Sequence, residues 1–306
     1  MDTKFFGRHQ PGGIFSIVDR ELFPTGSIWW VGSAETAASD AAGYGVNPDA
    51  PFATWVYAVS QAAAGDTIFL MPGHAETIGI TAAAAITLAA AGLRTIGLGG
   101  RTRKPQILID GFADTYVSIT AADVVLENIT FKAGHADIAK AINVAAAGVE
   151  IRRCNFEENI ATENFLIAIL TTAAADDLLV EDCFITTVDA SATEGIEIIG
   201  ACNRVIVRNN YIKGPYSVSA ISVTTVACLD MQILNNRIIN TLAGDDLAGC
   251  IDIVAASTGI MAYNNCYMED DTDILTAIDA ANLGRVENYV ANEYGQEANI
   301  SATRSA

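Results

Sequence analysis

Val124-Val125-Leu126-Glu127-Asn128-Ile129-Thr130-Phe131 sets apolar residues at alternate positions, Val124 and Leu126, breaks at a polar pair, and closes on a large apolar residue. The same form stands at Val149–Phe156, Leu178–Ile185, Val205–Ile212, Met231–Ile238 and Ile260–Tyr267. The closing residues fall at 131, 156, 185, 212, 238 and 267, steps of 25, 29, 27, 26 and 29. Strand-type alternation returning at such a period predicts a solenoid, in which each repeat buries its apolar face only against its neighbours.

Two further strands per repeat flank this unit. One set begins just after the polar pair. The other comprises Tyr116–Ile119, Ala141–Val144, Leu166–Ile169, Gly195–Ile198, Ala220–Val223 and Cys250–Ile253. Stacked coils pair equivalent strands in parallel, about 4.8 Å apart, so equivalent residues form ladders. The inward corner then reads Ile129, Cys154, Cys183, Asn210, Asn236, Asn265. Stacked Asn amides can satisfy one another where an unpaired amide would be costly. A second corner reads Ala121, Ala146, Ala175, Cys202, Cys228, Ser257, all small. An outward position reads Glu127, Arg152, Glu181, Arg208, Leu234, and its alternating charge favours this register over like-charge stacking.

The chain has 306 residues, 51% of them apolar, enough for one elongated domain with a sizeable core. Net charge is 17 − 36 = −19, which excludes a phosphate-binding role on nucleic acid and docking on anionic lipid. Residues 1–33 are neutral, with Lys4, Arg8 and Arg20 balancing Asp2, Asp19 and Glu21, so the deficit falls on the repeats. Residues 1–30 lack a basic start followed by a continuous apolar stretch, and the six cysteines form no CxxC or Cys/His cluster. Synthesis in a reducing cytosol, with thiols buried in tight corners and neither metal nor cofactor, is the expectation.

Residues 1–27 scatter Phe5, Phe6, Phe15 and Phe23 among Gly and Pro, with Arg8 and Arg20, as an arm that needs a surface to bury its rings. Ser27–Val31 reads as the first strand. Pro51–Ala64 reads as a helix, with Phe52, Trp55, Val56, Val59 and Ala63 on one face, placed to cap the open end of the solenoid. Asp66–Met71 is the next strand, ended by Pro72-Gly73. The domain organisation is an arm at 1–27, a β-helix at 28–290 and a tail at 291–306.

With its Asn ladder at Asn210, Asn236 and Asn265, the paired Asn209, Asn235 and Asn264, and the entry Ala64-Gly65-Asp66-Thr67-Ile68-Phe69-Leu70-Met71-Pro72-Gly73 after a helix, the chain resembles the right-handed parallel β-helix superfamily of pectate-lyase-like fold. The resemblance spans roughly residues 28–290. It implies an all-β, single-stranded right-handed solenoid of about eight to ten coils with a capping helix. It does not imply one activity, since the fold hosts lyases, glycosidases, tailspikes and inert virion proteins. Pro11–Arg20 is similar in style to phage-encoded β-helix proteins of the virion.

No catalytic set is legible. The acid pairs Asp176-Asp177, Asp245-Asp246 and Asp270-Asp271 with Asp273 occupy different phases of the coil and do not converge as a hard cation requires. Lyases of this fold carry an Asp-His pair and an Arg-Pro-Arg type motif, and the related hydrolases Gly-His-Gly and Arg-x-Lys elements; all are missing. Arg101-Thr102-Arg103-Lys104-Pro105 has no acids beside it, and His9, His74 and His135 stand apart, the last two read as surface turn residues. Glu157, Glu158, Glu163, Glu194 and Glu197 could line a saccharide groove, but the later loops offer only Phe165 and Tyr216 for stacking. The cysteine corners pair Cys154 with Cys183 and Cys202 with Cys228 one coil apart, within reach of a disulfide, though a buried thiol filling a small corner is the simpler reading.

The expectation is therefore a non-enzymatic phage virion protein, a head decoration or cement protein. It would be made in the host cytoplasm and be homotrimeric on the capsid surface. The docking arm (Phe5, Phe6, Arg8, Phe15, Arg20, Phe23) would bind the major capsid protein or other virion proteins. Asn210, Asn236, Asn265, Cys154 and Cys183 would be the structural ladder. The alternative is a tailspike that binds or cleaves host polysaccharide, and after it a bacterial polysaccharide lyase.

Overall fold

The computed structural model describes residues 26–79, 85–172, 174–242, 249–254, 256–269, 277–280, 282–293 and 295–300. The arm residues Phe5, Phe6, Arg8, Phe15, Arg20 and Phe23 lie outside that set, as do Asp245, Asp246, Asp270, Asp271 and Asp273.

Three sheets run the length of the solenoid. Sheet A has ten strands, from Ile28–Val31 to Gly284–Val286. Sheet B has ten, from Ala75–Ile78 to Glu297–Ile300, and sheet C has eight, from Ala85–Leu88 to Ile278–Asp279. The chain visits A, B and C in turn, so the eight strands of sheet C count the complete coils. The fold is a right-handed parallel β-helix, the hand that parallel crossovers almost always take. All three predicted strand sets are present; Ile151, for example, aligns with Leu126 and Val180. The phase departs from prediction at two places: Leu166–Ile169 is displaced by two residues, since Val144 aligns with Thr171 and not Ile169, and Ile260/Ala262 by one, since Ile233 aligns with Met261.

Alternation sends one column per sheet inward. In sheet A it runs Ile68, Thr95, Leu126, Ile151, Val180, Val207, Ile233, Met261. In sheet B, Phe131 and Phe156 stack at 5.4 Å between ring centroids and are followed by Ile185, Ile212 and Ile238. Fully burying one such side chain stabilises the coil by about 1.5–3 kcal/mol, so stability is spread along the axis rather than centred.

From Asn128 onward each A-to-B corner is made by one residue in the left-handed region: Asn128, Arg153, Asp182, Asn209, Asn235, Tyr263 and Glu287, with φ between 45° and 59°. The next residue points inward, and this is the ladder position. Its last predicted member is corrected by one residue. Asn264, not Asn265, is buried, and Asn265 is exposed on the outer face. The Asn264-Asn265 dipeptide imitates Asn209-Asn210 and Asn235-Asn236, but Tyr263 takes the left-handed corner. A one-residue slip turns every side chain of the strand over. The observed register buries Met261 and Cys266 and leaves Ile260 outside; the alternative would put Ile260 and the Tyr267 hydroxyl in the core. The ladder also continues one coil further, to Asn288.

The capping helix is shorter than predicted, Trp55–Gln61, with Thr54 as N-cap accepting from Tyr57 N at 3.1 Å. Pro51 and Phe52 precede it in extended backbone, where Phe52 bridges Val31. Its buried face is Trp55 and Ala58, while Val56 faces out. Trp55 drops into the open end of the barrel, with its indole N–H on Thr95 Oγ1 at 3.3 Å and its ring 6.5 Å from that of Phe131.

At the other end the sheet continues into the segment read as a tail. Sheet B runs to Asn292, and Glu297–Ile300 adds antiparallel to Asn288–Asn292.

Candidate functional site

The entry motif has a structural task. Asp66, 4% exposed, accepts from Ser27 N at 2.6 Å, Trp29 Nε1 at 2.8 Å and Ala63 N at 2.9 Å. One carboxylate thus ties the first strand to the end of the helix.

His74 is not a surface turn residue as predicted. It is 1% exposed, its Nδ1 accepts from Ser33 N at 3.1 Å, and its Nε2 lies 3.3 Å from Glu76 Oε2. Glu76 in turn accepts from the backbone of Trp55 and Val56 at the start of the helix, where a carboxylate is favoured. Sequence spacing missed this set because Ser33, His74 and Trp55 meet only when the first coil closes. His135 is exposed.

The basic stretch is structural as well. Lys104 Nζ reaches Asn155 Oδ1 at 2.8 Å and the carbonyl of Arg153, and Arg103 donates to Pro72 O at 3.1 Å. Burial holds the Lys104 ammonium below its ordinary pKa.

Much of the outward charge of sheet A is neutralised along the axis. Arg152 sits 2.7 Å from Glu150 and 3.9 Å from Glu127, which also pairs with Arg153; Arg208 Nε is 2.6 Å from Glu181. At the next corner Arg204 clamps Asp177 with two bonds of 2.6 and 2.8 Å, which holds that carboxyl below its usual range. Asp176 accepts from Asn203 N at 2.7 Å. The Asp176-Asp177 pair is a corner brace, not half of a cation site. Among the described residues, no group of three or more His, Cys, Asp or Glu is placed to hold a metal ion.

The buried ladder is continuous. Asn264 Nδ2 donates to Asn288 Oδ1 at 2.9 Å, Asn236 Nδ2 to Asn264 Oδ1 at 2.9 Å, and Asn210 Nδ2 to Asn236 Oδ1 at 3.0 Å. Asn210 Oδ1 then accepts from Cys183 N at 2.9 Å, where the amides give way to thiols. Burial pushes the Cys154 thiol up to about 11 and Cys183 well above its ordinary value, so both stay protonated core residues.

Two faces retain chemistry. On the outer side of sheet C, Glu197, Asp252 and Asp279 share one column, with the fully buried Ser222 on the coil between Glu197 and Asp252. Asp252 and Asp279 are about 5 Å apart along the axis, and Glu197 and Asp252 about 10 Å. Burial raises the pKa of Glu197 and Asp252, with the charge of Asp279 adding to the rise at Asp252. Beside the column Glu194 is 7% exposed and burial raises its pKa too. Of the other acids considered as groove residues, Glu158 instead organises a loop through Val188 N and Asp189 N at 2.8 and 3.1 Å, Glu157 pairs with Lys132 at 3.4 Å, and Glu163 accepts from Asn159 Nδ2 at 2.9 Å.

On the outside of sheet B, near its C-terminal end, Lys213, Arg237, Asn265, Tyr267, Glu269 and Tyr289 line a groove of about 890 Å³. Phe184 and Tyr211 stack at 4.6 Å, and Arg237 lies 5.5 Å over the other ring position of that stack, at Tyr211. Neither Lys213 nor Arg237 has an acid partner among the described residues. The aromatics predicted to be exposed, Phe165 and Tyr216, are buried at 6% and 1%. The exposed ones lie on strands, where alternate positions face out: Phe184 and Tyr289 are 39% and 53% exposed.

The architecture defines a class, the right-handed parallel β-helices of pectate-lyase-like fold. Among solved structures the chain is similar to a rhamnogalacturonan lyase (TM-score 0.53, 10% identity, covering 92% of this chain and 86% of that one). It is also similar to pectate lyase Pel9A (TM-score 0.51, 10% identity, 91% and 79%). At such identity the likeness shows the fold alone. No protein-family model matches the chain, and no curated protein does.

Proposed function

We propose that this chain is a non-catalytic structural protein of a bacteriophage particle, a head decoration or cement protein. Residues 1–27 dock on the major capsid protein or on other virion proteins, the acidic β-helix faces solvent, and the assembly is a homotrimer on the capsid surface after synthesis in the host cytoplasm. The observation that carries this reading is how the charge is used. The acids and arginines of sheet A and its corners neutralise each other from coil to coil, which serves a stiff, soluble rod. The neutral, Phe-rich arm before the first coil supplies a docking element distinct from the rod. The test is co-sedimentation of the full chain and of a chain lacking residues 1–27 with capsids that lack the protein. Loss of binding on truncation is expected; full binding by the truncated chain refutes the docking role.

A second reading, a tailspike that binds or cleaves host polysaccharide, has its own support. The column on sheet C sets carboxyls about one and two coils apart, near the separations at which paired acids act on a glycosidic bond. The sheet B groove adds Lys213 and Arg237, without acid partners among the described residues, beside tyrosines. Release of saccharide from an acidic polysaccharide, lost on Glu197→Ala or Asp245→Ala, would establish this reading and overturn the first.

A further inference from the structure

Cys202 and Cys228 differ by 26 residues and stand four positions before Ile206 and Gln232, which pair across adjacent coils. They are therefore consecutive rungs of the small-residue corner. Neighbouring rungs are about 4.8 Å apart, inside the Cα window of roughly 4.4–6.8 Å that a disulfide needs. Both sulfurs sit on the same side of the corner. Cys202 Sγ donates to Thr172 O at 2.9 Å and Cys228 Sγ to Gly200 O at 3.3 Å, carbonyls of neighbouring coils.

We propose that Cys202 and Cys228 are a modification site, a thiol pair that a peroxide converts to a disulfide, stapling two adjacent coils. The step balances. The Cys202 thiolate attacks one peroxide oxygen, the O–O bond breaks, and the other oxygen leaves as hydroxide, giving a sulfenic acid. The Cys228 thiol, giving up its proton, attacks that sulfur; the S–O bond breaks and water leaves. Two thiols are oxidised and one peroxide is reduced.

The surroundings suit these roles. The Thr171 hydroxyl lies 3.5 Å from Cys202 Sγ and can donate to it once Cys202 has lost its proton; the Cys228 S–H, which rests on Gly200 O, can turn to it in the same way. Together they stabilise the thiolate and hold Cys202 below its ordinary pKa, while Cys228 is pushed above. Nucleophilicity follows the thiolate, so Cys202 attacks first and Cys228 resolves. Both side chains are fully buried, yet exposed Ala201 and Leu229 are their immediate neighbours, so a small oxidant has one layer to cross. Cys154 and Cys183 are also one coil apart but lie under the A-to-B corner with raised pKa values, and serve as an internal control.

A coil-to-coil staple closes a loop in a fold that otherwise opens rung by rung, and so suits a protein made under reducing conditions that later meets oxidising ones. The test is hydrogen peroxide treatment of the folded full-length protein, followed by alkylation under denaturing conditions and peptide mapping. The six free thiols should fall to 6 − 2 = 4, with one linked peptide joining Cys202 to Cys228. The denaturant midpoint should rise, and dithiothreitol should reverse the rise. With Cys228→Ser, a 1,3-dione should capture a sulfenic acid at Cys202; with Cys202→Ser, no adduct should form at Cys228. If either variant fails to fold, the wild-type peptide map decides alone. Six alkylated thiols after peroxide, or a linked pair other than Cys202–Cys228, would overturn the proposal.

Discussion

Replacing Asn236 with Ala removes the middle of the buried ladder. The side chain makes four hydrogen bonds: Oδ1 accepts from Asn210 N and Asn210 Nδ2, both at 3.0 Å, and Nδ2 donates to Val207 O and Asn264 Oδ1, both at 2.9 Å. Asn210 Nδ2 keeps Val180 O, and Asn264 Oδ1 keeps Asn236 N, so these two are half satisfied after the change. The backbone N–H of Asn210 loses its side-chain partner in a fully enclosed corner. At about 1 kcal/mol net per bond the loss is about 4 kcal/mol, of which an orphaned buried donor accounts for about 1–3. Asn265→Ala is the matched control. That residue neighbours the ladder in sequence but is exposed, so its replacement should stay within about 0.5 kcal/mol. Urea unfolding followed by circular dichroism reads both, and amide exchange at Asn210 localises the first. A cost under about 1 kcal/mol for Asn236→Ala, or equal costs for the two variants, would refute the ladder as assigned.

Asp66→Ala should cost about 3 kcal/mol, at about 1 kcal/mol net for each of the three part-buried hydrogen bonds that one carboxylate accepts, and tryptophan fluorescence should show Trp29 becoming more exposed first. Tyr263→Asn should stabilise the chain by about 1 kcal/mol, since Tyr263 holds φ at 59° where Asn is better tolerated; an unchanged midpoint would argue against strain at that corner. The pH dependence has a definite sign. Glu194, Glu197 and Asp252 have folded pKa values raised by burial, so the native state holds their protons more tightly than the unfolded chain. Stability should fall as pH rises from the ordinary carboxylate range through these raised values and then level off. Glu197→Gln with Asp252→Asn should flatten that slope in pH-dependent urea titrations. Arg204→Ala should leave the urea midpoint nearly unchanged, since its pair with Asp177 is solvent-exposed and screened.

The repeat, the three strand sets, the small corner and the alternating charges of sheet A were readable from residues 116–267, because side-chain period and coil period are local properties of the sequence. Local reading failed where two registers differ by one residue. Asn264-Asn265 copies the earlier Asn pairs, and only packing decides that Met261 and Cys266, not Ile260 and Tyr267, face inward. It failed again for the exposed rings of sheet B, because a strand's outer face becomes a groove only after coils from distant sequence are stacked. The carboxyl column of Glu197, Asp252 and Asp279 has the same origin: its members are 55 and 27 residues apart along the chain and neighbours or next-neighbours in the sheet. The sequence by itself determined the solenoid and its rung chemistry, since each coil must bury its own apolar face. Which residues stand side by side on the outside was decided by the tertiary structure, since stacking converts separations of a whole coil into about 5 Å.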